Sequence, residues 1–251
     1  EDYSDDLAPY SANLLPCLSK GNYRNFTDLI QRSRMVELAY EPGIEGELET
    51  LRAIKPDLFI AVGIRLNSEA AATGLRLADS GVDTLHFYAD SKGRELDSER
   101  PRFLKDMIRE VHLRLVEDSI RPGINLMFSG GIAMAEHMAK AIICGADCVA
   151  IDNPLLVALE CRLCSQCREG KPCPVKLGEI DPEWGAQRIT NLMGAWRNQL
   201  LEVLGAMGIR EVRRLRGEVG RSMWFEDLER ECFSPIFGER KVAGSGVSHG
   251  A

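Results

Sequence analysis

The sequence predicts an α/β protein, a (β/α)8 TIM-barrel-like fold that is incomplete or shortened, with a cysteine-bearing loop and C-terminal helices attached. Two observations carry this. Between residues 35 and 151, apolar runs of strand type alternate with helical stretches at short spacing, as parallel strands joined by crossover helices do. Only five such strands are visible, whereas a closed barrel needs eight, and the first 34 residues are too few for three more units.

The elements follow in order. Residues 1–34 read as irregular, with one short helix around Phe26–Arg32. Met35–Tyr40 is a strand, the glycine-bearing stretch Glu41–Gly46 a loop and Glu47–Ile54 a short helix. Asp57–Leu66 is an apolar run of buried-strand type. Ser68 is placed to cap a helix running to Asp79, with Gly81 as its stop. Thr84–Tyr88 is a strand, Ala89–Pro101 a polar loop and Arg102–Asp118 a strongly periodic helix. Ile124–Phe128 is a strand leading into Ser129-Gly130-Gly131-Ile132, followed by a helix over Met134–Ile143 stopped by Gly145 and a strand over Asp147–Ile151. A long helix spans Glu183–Met207; short helical pieces fill Ile209–Arg221 and Met223–Glu231. The expected organisation is an irregular segment (1–34), a βα-barrel portion (35–159), a cysteine loop (160–176), a helical segment (177–238) and a flexible tail (239–251).

Composition narrows the function classes. The 251 residues are 45% hydrophobic and 27% charged, as in an ordinary globular protein. A net charge of −7 argues against a nucleic-acid partner, which wants a basic face. No apolar run reaches the roughly 18–20 residues that span a bilayer. The opening EDYSDDLAPYSANLLPC lacks the basic and apolar regions of an export signal, so a reducing cytoplasm is the expected location. The chain begins without Met and reads as a fragment or a shortened protein.

Four of the eight cysteines lie within thirteen residues, Cys161, Cys164, Cys167 and Cys173, in the spacing C-x2-C-x2-C-x5-C-P. Such bunching is poor for a disulfide framework and good for a metal site. Two-residue gaps let three thiolates converge on one cubane, and the Gly170-Lys171-Pro172 turn brings the fourth around. The spacing resembles the ferredoxin run with a longer last gap. A 4Fe–4S cluster is the expected occupant, with 3Fe–4S as a variant and zinc as the competing reading, since zinc sites usually pair two CxxC knuckles. Arg162, Arg168 and Lys171 would offset the cluster's charge, or are surface charge only. Cys144 and Cys148 flank a helix-to-strand turn, with one or both expected in the core; Cys17 and Cys232 receive no role.

Ser129-Gly130-Gly131-Ile132 lies between a strand and a helix, where bare amides can cradle a phosphate, although a plain tight turn explains the glycines equally well. No nucleophile–His–acid set is visible among His86, His112, His137 and His249, which argues against hydrolysis. His137 reads as a surface or capping residue.

From Phe128 to about Leu228 the chain resembles the FMN/iron–sulfur synthase domain of the glutamate synthase large subunit, nearest the archaeal-type form. The likeness rests on SGGIAMAEHMAKAIICGADCVAID, LLVALECRLCSQCREGKPCPV and RITNLMGAWRNQLLEVLGAMGIREVRRLRGE. A weaker likeness covers residues 35–88. The resemblance implies a (β/α)8 barrel that binds FMN and an iron–sulfur cluster and reduces 2-oxoglutarate plus ammonia to glutamate. Ser129, Gly130, Gly131 and Asn153 would then hold the flavin. The departures are specific. A family lysine falls on Glu41 and another on Gly63, where Arg65 could replace the charge only by pointing inward. The family's GGTGA loop is replaced by Asp90-Ser91-Lys92-Gly93-Arg94, and its Gly-Thr by Asp152-Asn153. Catalytic residues are therefore not assigned.

Three functions follow. The first is an iron–sulfur electron-transfer subunit in a larger redox complex, with a flavoprotein or second iron–sulfur protein as partner. The others are an active FMN-dependent synthase domain and a non-catalytic subunit whose cluster staples the fold.

Overall fold

A computed structural model describes residues 5–222, 224 and 228–238. The chain divides into two units, residues 1–217 and 218–251.

In the first unit six parallel strands pair in the order in which the chain makes them: β1 (Cys17–Leu18), β2 (Met35–Ala39), β3 (Phe59–Arg65), β4 (Thr84–Tyr88), β5 (Asn125–Ser129) and β6 (Cys148–Ala150). Sequential order without reversal is the winding of a (β/α) barrel rather than of a doubly wound sheet. Among the described residues β1 and β6 do not pair, so the barrel is not closed. The expected count of five strands is corrected to six. The first 34 residues contribute β1, a two-residue edge that pairs Cys17 with Glu37 and is too short to show a period.

Helices α1 (Thr27–Arg32), α2 (Glu45–Ile54), α3 (Ala70–Ala78), α4 (Leu104–Glu117) and α5 (Ala135–Cys144) form the crossovers. Right-handed crossovers in a sequential sheet place helices on one face. The strand residues divide accordingly. Val36, Leu38, Ile60, Val62, Leu85, Phe87, Leu126 and Phe128 are apolar and fully buried. A Cβ added to Gly74 of α3 would stand 3.0 Å from Phe87, so that helix lies directly on this apolar face. The registers place Glu37, Ala61, Gly63, His86, Tyr88, Met127 and Ser129 on the alternate positions. The second face is thus small and polar, the lining of an incomplete barrel.

The strands' N-terminal ends are tied by partly buried ion pairs. Asp83 accepts from Arg52 Nη2 at 2.7 Å and from the Ile60 amide at 2.7 Å. Asp147 repeats the device, accepting from Arg121 Nη2 at 2.7 Å, Arg216 Nη1 at 2.6 Å and the Leu126 amide at 2.8 Å. Each aspartate immediately precedes a strand and holds the start of the previous one.

Several expected boundaries shift by one to three residues. The Ser68 cap is replaced by Glu69, and Ser129 is the last residue of β5 rather than the first of the loop. The 89–101 segment is better anchored than a solvated loop: buried Glu95 accepts from Arg102 Nε at 3.0 Å and Nη2 at 2.9 Å. After β6 the chain forms α6 (Asn153–Ala158), the cysteine loop and the 26-residue α7 (Pro182–Met207), which starts on an Asp181 cap and ends at Gly208 with φ +67°. Leu215 then returns to full burial, with Gly217 N–H donating to Ile143 O at 3.0 Å.

The second unit contains a 3-10 turn (Val219–Arg221), a π-helical turn (Glu229–Phe233) and α8 (Ser234–Phe237). Residues 223 and 225–227 of the helix expected over 223–231, and the tail expected over 239–251, lie outside the described residues. No helix among the described residues is long and apolar enough to cross a membrane.

Candidate functional site

The polar sheet face carries a hydrogen-bonded chain of three side chains from three strands. Glu37 on β2 meets His86 Nδ1 on β4 at 2.7 Å, and His86 Nε2 meets Ser129 Oγ on β5 at 3.0 Å. Glu37 and His86 are 1% and 5% exposed, whereas Ser129 is half-buried at the strand's C-terminal end. With Glu37 as a carboxylate, Nδ1 carries the proton and Nε2 accepts from the serine hydroxyl.

Strand β3 lies between the carboxylate and the imidazole, and its residues make the contact feasible. Neighbouring strands are about 4.8 Å apart, so β2 and β4 are separated by about twice that. Ala61 and Gly63 leave the crossing clear. A Cβ at Gly63 would stand 2.8 Å from Glu37 Oε1 and 2.7 Å from the Tyr88 hydroxyl. Tyr88 also packs on His86 with ring centroids 4.1 Å apart. At the near edge Cys17 stands in register with Glu37, and its thiol is pushed up by partial burial and then by that carboxylate. The expectation that no nucleophile–His–acid set exists is therefore corrected.

These contacts also explain where the second expected lysine went. At Gly63 a lysine would collide with Tyr88 and Glu37. Arg65 does not replace it: it is exposed and pairs with Asp97 at 3.0 Å. Glu41 is exposed in the β2–α2 loop.

The glycine turn stands at the C-terminal end of β5, as its position between strand and helix requires. Gly130 and Gly131 have φ of +92° and +69°. A Cβ on Gly130 would meet Ala89 O and Asp90 O at 2.5 Å, and one on Gly131 would meet Gly93 N at 2.2 Å. Both are therefore glycine because the Ala89–Gly93 backbone packs on them. Ser129 Oγ is engaged by His86, and the Asn153 amide by the Asp152 carboxylate at 2.5 Å. Ser129 Oγ and the Asn153 amide are thus already engaged, and a flavin phosphate placed here would stand beside the Asp152 carboxylate.

The cysteine loop follows α6. Cys161 and Cys173 are half-buried, Cys164 and Cys167 exposed, and all four are free thiols. They are not gathered into a ligand set; among the described residues no three His, Cys, Asp or Glu stand close enough to hold a metal. The backbone nevertheless suits thiolates. Of six non-glycine residues with positive φ among the described residues, four lie here: Glu160, Leu163, Ser165 and Lys176. Such reversals turn amides toward side chains. Leu163 N–H donates to Cys161 Sγ at 3.5 Å. The Leu177, Val175 and Lys176 amides hold the Cys173 thiol below its ordinary range, favouring the thiolate a metal needs. The donor chemistry therefore fits an iron–sulfur group. Lys171 pairs with Glu169 at 2.5 Å.

Elsewhere, Cys144 is buried and its thiol is pushed up to about 11, whereas Cys148 is exposed. His137 caps its helix, Nδ1 accepting from Ala133 N–H at 3.2 Å.

Residues 104–210, from α4 through the cysteine loop to the end of α7, match the conserved region in glutamate synthase. The chain is glutamate synthase-like. It is 33% identical over 188 residues to the archaeal glutamate synthase (NADPH) of Methanocaldococcus jannaschii, covering 69% of this chain and 36% of that protein. It is 34% identical over 166 residues to the archaeal-type enzyme of Dehalococcoides mccartyi, covering 60% and 32%. Against that of Thermotoga neapolitana it is 41% identical over 118 residues, covering 44% and 23%. The matches thus span about a third or less of these relatives' length. The conserved region of this glutamate synthase-like chain contains Ser129 and the four loop cysteines, but neither Glu37 nor His86.

Proposed function

We propose that the chain is an iron–sulfur electron-transfer subunit on a glutamate synthase-like scaffold, working within a larger redox complex. The observation that carries this is the loop of Cys161, Cys164, Cys167 and Cys173, with free thiols and left-handed residues that aim amides at sulfur. Those four residues would hold one 4Fe–4S cluster, which supplies one-electron oxidation and reduction there. The Leu177 amide favours the thiolate at Cys173, and the Leu163 amide donates to Cys161 Sγ. A partner flavoprotein or second iron–sulfur protein would exchange electrons with the loop, because a single centre needs both a donor and an acceptor. The sheet's edge strands, β1 and β6, which pair on one side only among the described residues, would give such a partner a place to dock.

A second reading, an FMN-dependent synthase domain, is favoured by the relatives' names. Glu41 and the crowded Gly63 weigh against it. Metal, sulfide and flavin analysis of the anaerobically purified chain separates the readings. Iron and sulfide without flavin support electron transfer; one FMN per chain with turnover of 2-oxoglutarate and ammonia supports the second.

A further inference from the structure

The geometry points to Ser129 as a nucleophile activated by His86 and Glu37, one that takes an acyl group from a small ester reaching the C-terminal end of the polar sheet face. The connectivity is that of a serine triad: carboxylate on Nδ1 at 2.7 Å, hydroxyl on Nε2 at 3.0 Å. Burial of Glu37 and His86 fixes the imidazole's orientation. Ser129 is half-buried at the C-terminal end of a parallel strand, where (β/α) proteins place their chemistry.

A purely structural reading accounts for the first bond only. A buried carboxylate needs a partner, and His86 provides one. It does not account for the crossing built over β3, with Ala61 and Gly63 beneath and Tyr88 packed at a tilt on the ring, nor for a hydroxyl on the second nitrogen at the half-buried end. Nothing in this arrangement depends on the cysteine loop, so it stands whether or not that loop holds a cluster.

The step balances without a redox partner. Ser129 Oγ forms a bond to the ester carbonyl carbon as its proton passes to His86 Nε2. The bond from that carbon to the alkoxy oxygen then breaks, and His86 returns the proton to the departing alcohol. Water repeats the sequence in reverse, releasing the acid and restoring the hydroxyl.

The test treats the full chain with diisopropyl fluorophosphate and follows intact mass and peptide maps. The expected result is one adduct per chain, on Ser129, absent in Ser129→Ala. In His86→Gln the labelling rate should fall at least about 100-fold, with circular dichroism and melting reporting that the variant is folded. Should His86→Gln not fold, an initial burst of nitrophenol from p-nitrophenyl acetate in the wild type, lost in Ser129→Ala, is the deciding readout. Absence of any Ser129 adduct overturns the proposal, as does labelling at the same rate in folded His86→Gln, or an equal burst in Ser129→Ala.

Discussion

Replacing Asp147 by alanine should be among the most damaging single changes outside the apolar core. Its carboxylate accepts from Arg121, Arg216 and the Leu126 amide at 2.7, 2.6 and 2.8 Å. Arg121 is 5% exposed and also donates to Ile124 O at 2.7 Å and Gly145 O at 2.9 Å. Removing one member of a buried pair typically costs about 3–5 kcal/mol, because the other charge stays buried without compensation. The two carbonyls that Arg121 keeps place the expected loss at the lower end, about 3 kcal/mol. Arg216 is a third exposed and adds little. Denaturant unfolding of the wild type and Asp147→Ala measures the difference. The double variant Asp147→Ala/Arg121→Met should recover part of the loss, since it removes the stranded charge. A single-variant loss below about 1 kcal/mol, or a double variant no better than the single, would refute this reasoning.

Three further outcomes follow from other sites. Burial, then Arg121 and Arg216, holds the His112 pKa below its ordinary value. The unfolded chain therefore binds the proton more readily, and stability should fall as pH drops through the usual imidazole range near 6.5; His112→Gln should flatten that slope in pH-dependent melts. Gly63→Ala should cost about 1–3 kcal/mol by overpacking Tyr88 and Glu37, and much of this should return when Tyr88→Ala is added. Gly131→Ala should cost at least as much, since both the positive φ and the Gly93 backbone oppose it; a thermal shift within error of the wild type would count against the packing described for this turn.

Much of the scaffold was legible because strand and helix periods are local. MVELA, TLHFY and the Leu104–Glu117 helix announce themselves within a few residues, and the structure places them within three positions of expectation. The two-residue β1 has no period to read, and its pairing with β2 is a tertiary fact. The Glu37–His86–Ser129 chain was illegible for the same reason: its members lie 49 and 43 residues apart and meet across the sheet. A signal did exist, since Glu37 and His86 are polar residues at the centres of otherwise apolar strands, and such residues must find buried partners. The cysteine spacing was legible as chemistry. The glycine turn was ambiguous in sequence because a phosphate cradle and a close backbone crossing demand the same residue, and the Gly93 contact shows that the crossing is there.

The most direct measurement is iron and acid-labile sulfide content of the anaerobically purified chain, with EPR of the reduced sample, repeated on Cys164→Ser and Cys173→Ser. The account predicts iron and sulfide in equal amounts, sufficient for one 4Fe–4S cluster per chain, with a signal that appears on reduction and is lost or altered in both variants. Zinc without sulfide, or a cluster indifferent to these cysteines, would contradict it.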